Sequence, residues 1–197
     1  MSMRKLSSLA VLAALVFVVP ASVHAQDKIE LFAGYSFGHV PVNLSGTILC
    51  PGPVCPSSTF APRGNLSGLE ISGVYKTNHG LGLEADFSGV SGSAQGVTTH
   101  LQTYLFGTQV SAPGRISPFA HLLFGVAHES TGSGLIGLYT ISPAANTSFA
   151  AALGSGLDFD LTRFVSIRAI QFDYLLTRFH GNTQTQPRVS VGLVLHF

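Results

Sequence analysis

Residues 187–197 read Pro-Arg-Val-Ser-Val-Gly-Leu-Val-Leu-His-Phe, and this stretch decides the fold. Val189, Val191, Leu193, Leu195 and Phe197 share one parity and are apolar. Arg188, Ser190, Gly192 and His196 share the other and are polar or small, with Val194 the exception. Successive side chains of a β-strand point to opposite faces, so the segment is a strand with one apolar and one polar side.

The same alternation recurs upstream in Ile29–Phe37, Leu69–Tyr75, Leu81–Phe87 and Phe149–Phe159. Three further segments, His100–Val110, Pro118–Ala127 and Val165–Thr177, are strand-like but alternate less cleanly. In the last, Arg168 has one parity while Gln171 and Asp173 have the other. A β-bulge near Ala169-Ile170 brings all three to one face. The pattern therefore predicts eight strands.

The connections alternate in length. Lys76–Gly80, Ser111–Ser117 and Asp160–Phe164 are short, whereas Gly38–Asn65, Val90–Thr99, His128–Ser148 and Arg178–Gln186 are mostly longer. An even number of strands with short turns at one end and long loops at the other describes an outer-membrane barrel. Each strand is expected to have about 9–11 residues, the length that crosses a bilayer. Hydrocarbon offers backbone groups no partners, so the sheet must close, with the last strand pairing the first. The fold class is all-β: an eight-stranded antiparallel up-and-down transmembrane barrel.

Composition agrees. Charged residues make up 10% of the chain, hydrophobic ones 46%, the net charge is +1 and the mean hydropathy is +0.40. Soluble domains carry about 25% charged residues. Abundant Phe, Leu and Val with little net charge exclude disorder, and the want of a basic cluster beyond Arg4-Lys5 excludes nucleic-acid binding. Residues 1–25 have a basic start, an eleven-residue apolar run from Leu9 to Val19 and a small-residue exit at Val23-His24-Ala25. They read as a cleaved signal peptide, the run being shorter than the roughly 20 residues a spanning helix needs. Residues 26–197 then form one barrel domain.

In such a barrel the polar parity faces inward, and an eight-stranded interior is just wide enough for side chains to fill. The residues expected there are Glu30, Glu70, Glu84, Asp86, Asp158, Arg168, Asp173 and Arg188. Two Arg among several carboxylates predict an ion-pair network that plugs the lumen rather than a catalytic site.

Residues also carry a resemblance. Ile29-Glu-Leu-Phe-Ala-Gly-Tyr-Ser-Phe37, Pro118-Phe-Ala-His-Leu-Leu-Phe-Gly-Val126, Gly154-Ser-Gly-Leu-Asp158 and Ile170-Gln-Phe-Asp-Tyr174 resemble strands of the OmpA-like outer membrane protein beta-barrel domain family. The resemblance implies residence in a bacterial outer membrane among its lipids. It also implies recognition by the barrel assembly machinery through Val191, Leu193, Leu195 and the terminal Phe197. Trp is absent, so an interfacial aromatic girdle must come from Tyr35, Tyr75, Tyr104, Tyr139, Tyr174 and the Phe residues.

Cys50 and Cys55, in Cys-Pro-Gly-Pro-Val-Cys, are the only cysteines, and in an exported protein they read as a disulfide pinning the first long loop. A metal there would need two more ligands, and only His39 is a candidate. His128-Glu-Ser130 resembles the His-x-Ser of outer-membrane lipid A deacylases, but no acid is clearly placed to orient the His. The expectation is a monomeric, non-enzymatic barrel without cofactor. It serves envelope integrity, or adhesion and surface interaction through its long loops. Two alternatives stay open: a lipid A-modifying barrel using His128 and Ser130, and a soluble lipocalin-like barrel with the apolar parity inside.

Overall fold

The computed structural model describes residues 28–41, 44–48, 57–60, 63–77, 80–94, 96–136, 139–179 and 182–197. The signal segment 1–25 and the Cys50/Cys55 pair lie outside them. Eight long strands, β1 (Ile29–Pro41), β4 (Arg63–Lys76), β5 (Leu81–Ala94), β6 (Val97–Ser111), β7 (Ile116–Thr131), β10 (Ala144–Asp160), β11 (Val165–Phe179) and β12 (Asn182–His196), close into a barrel. Four short ones, β2 (Leu44–Ile48), β3 (Ser57–Phe60), β8 (Gly134–Ile136) and β9 (Tyr139–Ile141), form a separate sheet in the order β3-β2-β9-β8. Every barrel pairing is antiparallel between chain neighbours, except that β12 closes on β1 from Glu30↔His196 to Gly38↔Arg188. Ile29 and Phe197 exchange backbone hydrogen bonds of 3.1 and 2.9 Å and seal the seam.

Strand parity sorts the side chains as alternation requires. Leu31, Tyr35, Ile71, Leu83, Phe106, Leu153 and Leu193 stand exposed on the outer wall, while Glu70, Glu84, Asp173 and Ser190 are buried inside. This is the inverse of a lipocalin, whose apolar side faces inward. An outer surface this apolar is stable against hydrocarbon and not against water. Among the described residues no helix is long and apolar enough to cross a membrane; the crossing is made by strands. The expected bulge falls at Ala169-Ile170, where the register slips and both residues point outward, so Arg168, Gln171 and Asp173 all face the lumen.

Four expectations need correction. The barrel strands run to 13–17 residues, not 9–11. Val90–Thr99 and Arg178–Gln186 are not long loops: β5 and β6 continue to a tight turn at Gly96 (φ 82°), and β11 and β12 continue to Phe179 and Asn182. Beyond the bilayer the outer face turns polar while polar residues such as Thr99, Thr177 and Gln186 also stand on the buried inner face, so alternation fades while the backbone still needs its ladder. Gly38–Asn65 and His128–Ser148, expected as loops, hold the small sheet. Tyr139 belongs to that sheet and packs half-buried on the core, so it is not on the outer wall, where Tyr35, Tyr75, Tyr104 and Tyr174 stand exposed.

Val191, Leu193, Leu195 and Phe197 all lie on the outer wall. Leu193→Arg puts a cation on the lipid face near the middle of the wall, which costs about 2–4 kcal/mol in a barrel. Its folded band, read as a heat-dependent shift in gel mobility, is expected to melt well below that of the wild type. An unchanged transition would overturn the lipid-facing assignment of β12.

Candidate functional site

The lumen has three layers. At the short-turn end a vestibule of about 400 Å³ opens between Glu30, Lys76, Ser111, Ser117 and Asp160. Glu30 accepts from Lys76 Nζ at 2.5 Å and from His196 Nδ1 at 3.0 Å. Above it Arg168 closes the bore. Its Nε and Nη2 bind both Asp158 oxygens at 2.9 and 3.0 Å, and its guanidinium lies between the rings of Phe32 and Phe119, 4.4 and 4.0 Å from their centres. A bidentate carboxylate and two aromatic faces together hold an Arg in a way a Lys could not reproduce.

The middle layer is ionic. Arg188 gives Nε and Nη2 to Asp173 Oδ2 (3.0 and 2.6 Å) and Nη1 to Ser88 Oγ (2.7 Å), with Asp86 and Glu70 oxygens 3.5 Å away. His121 bridges Glu84 and Asp173 at 2.9 and 2.8 Å. With both ring nitrogens on carboxylates, the imidazole serves as a double donor. Gln171 donates to Glu70 (2.7 Å) and Asp173 (2.8 Å) while accepting from Arg168, and Ser190 donates to Glu70 at 2.6 Å. Gly154 makes room for this. It lies between His121 and Asp173 in the register, and a Cβ there would stand 2.0 Å from Asp173 Oδ1 and 2.2 Å from His121 Nε2.

Toward the long-loop end the interior turns apolar. Leu66, Val90, Leu101, Leu105, Leu123 and Leu175 pack with Ile141 of β9, so the small sheet sits on this plug. Between the ionic and apolar layers lies a cavity of about 10 Å³, room for about one water.

All eight residues expected in the lumen are 5% exposed or less, and the structure joins all of them except Glu30 and the Asp158–Arg168 pair directly around Arg188 and His121. Sequence reasoning missed His121 as the hub. Its parity matches buried Phe119 and Leu123, and only a prior assignment of that face to the lumen would have revealed it. The layer of Leu side chains was also missed, because around Leu105 and Leu123 β6 and β7 are apolar on both faces.

On the outside, His128 Nδ1 lies 2.7 Å from Thr147 Oγ1. His128 and Ser130 share the outer face, but the intervening Glu129 is buried on the other. Among the described residues no Asp or Glu faces outward. A Ser–His pair there has no acid to orient it. No group of three or more His, Cys, Asp or Glu among those residues is arranged to hold a metal.

No family model matches the sequence, and no curated protein matches it. Solved structures do. Neisserial surface protein A superposes with a TM-score of 0.53 at 14% identity, covering 85% of this chain and 97% of that one. The fold is that of the small eight-stranded outer-membrane barrels. Ail, the attachment invasion locus protein of Yersinia pestis (TM-score 0.50, 13% identity, 85% and 98% covered), shares this barrel. So does OprG of Pseudomonas aeruginosa (0.50, 13%, 88% and 97%). At these identities the likeness is one of fold.

Proposed function

We propose that this protein is a bacterial outer-membrane barrel that catalyses nothing and conducts nothing, and serves to hold its extracellular strand extensions and small sheet in place. The filled lumen carries this reading: Arg168 between two Phe rings, the ionic layer and the apolar plug block the bore in series. Its work is envelope integrity or contact with a surface ligand through β2, β3, β8 and β9, with the Cys50–Cys55 disulfide pinning the adjoining loop. One protein of the same fold is by name an attachment protein, which favours surface contact. The chain acts as a monomer after insertion by the barrel assembly machinery.

Reconstituted in planar bilayers, the wild type is expected to show no steady large-conductance state, and cells carrying Ser130→Ala to keep an unchanged lipid A profile. A stable porin-sized current would overturn the plug, and an altered lipid profile would restore the enzymatic reading of His128 and Ser130.

A further inference from the structure

The charges of this barrel are sorted by face. Every Asp and Glu among the described residues points into the lumen or, as Asp160 does toward Ser166, into its rim. The exposed arginines stand outside: Arg115 and Arg163 in the short turns, Arg63 and Arg178 at the other end. At that second end His39 on β1, Asn65 on β4, His100 on β6, His128 on β7 and Arg178 on β11 all have outward parity. In a tilted barrel the register climbs along the strands from one pairing to the next, and this climb brings the five to one level. Phe37, Val126 and Leu176, two residues below His39, His128 and Arg178, are exposed apolar wall.

A collar just above the apolar belt lies in the headgroup layer. Donors there without a single carboxylate suit an anion, and guanidinium forks suit phosphate best. Arg178 and Arg63 flank β12 and β1, three strand spacings apart, or about 14 Å at about 4.8 Å each. Between them stand Thr183 and Thr185, together with His39, whose ring bonds Asn65 Oδ1 at 2.8 Å and leaves the amide NH2 to donate.

We infer that this collar binds an acylated disaccharide carrying two phosphates, the lipid A type of outer-leaflet glycolipid. Arg63 and Arg178 take one phosphate each, and the hydroxyl and amide donors between them take the sugar. Two arginines this far apart with neutral donors between match such a headgroup better than the single phosphodiester of a phospholipid. The inference rests on the outer-membrane reading above.

The test uses the full mature chain, refolded in detergent micelles. Bisphosphorylated lipid A, the same lipid without phosphates, and phosphatidylglycerol are added separately. Bound lipid is read by native mass spectrometry and by the melting temperature. The wild type is expected to retain bisphosphorylated lipid A and melt higher with it. Arg63→Gln/Arg178→Gln should bind it at least tenfold more weakly, and Arg115→Gln/Arg163→Gln as the wild type does. Equal retention of the dephosphorylated lipid or of phosphatidylglycerol by the wild type, or undiminished binding by the Arg63/Arg178 variant, overturns the collar. The wild-type comparison of lipids decides the matter even where the double variant fails to fold. A wild type that stays in aqueous buffer without detergent and shows no heat-dependent gel shift would instead remove the membrane reading itself.

Discussion

Arg188→Ala is expected to lower the stability of the folded barrel by about 3–5 kcal/mol, because it strands buried charge rather than merely losing a bond. Arg188 is the cation shared by Glu70, Asp86 and Asp173, all buried. Its removal leaves three carboxylates with His121 as the remaining cation in their layer. The magnitude belongs at the upper end of that range for this reason. Arg115→Ala, in an exposed turn, is the control and should move the transition little. Thermal unfolding in detergent, followed by circular dichroism and by gel shift, reads both. Equal transitions for the two variants would mean that the lumen is hydrated enough to screen its charges.

Gly154→Val should be as damaging, by a different route. The position is a lattice point between β7 and β11 where no side chain fits, since even a Cβ meets both partners of the His121–Asp173 bridge near 2 Å. Forcing atoms in costs about 1–3 kcal/mol in a packed interior. Splitting the bridge adds the loss from the stranded pair, for a total of about 3–5 kcal/mol. Ser155→Val, one residue on and facing outward, should be neutral. The decisive measurement is the cycle with His121→Ala. Where the ring is already gone, the milder Gly154→Ala should cost clearly less than it does in the wild type. Additive costs would show that the glycine serves the backbone and not the bridge.

Much of this was legible because a bilayer enforces alternation. The parity of Ile29–Phe37 and Val189–Phe197 assigns Glu30 and Arg188 to the lumen directly, and the parity break at Ala169-Ile170 marks the bulge. Legibility ends where both faces of a strand see the same medium. At Leu105 and Leu123 both the lumen and the lipid side are apolar, so the plug left no period to read there. At Ser91–Thr99 small and polar residues stand on both faces, Thr98 outside and Thr99 inside, and the hairpin looked like a loop. Gly154 and His121 were illegible for another reason. Their meaning lies in a meeting across three strands, which only the register reveals.

The ionic layer ties together strands that are not neighbours: β5 to β12 through Asp86 and Arg188, β4 to β11 through Glu70 and Gln171, and β7 to both β5 and β11 through His121. The β4–β5 hairpin, with Glu70, Glu84 and Asp86 inside, cannot neutralise its own inward charges, and the cation beside Glu70 and Asp86 comes from β12. A sheet without β12 holds those carboxylates without their cation, and the strand that carries the cation is the one that closes the barrel on β1. Closing the wall and neutralising the lumen are therefore one event, with Arg188 as its keystone. A chain that lacks the β11–β12 hairpin should leave no smaller barrel behind.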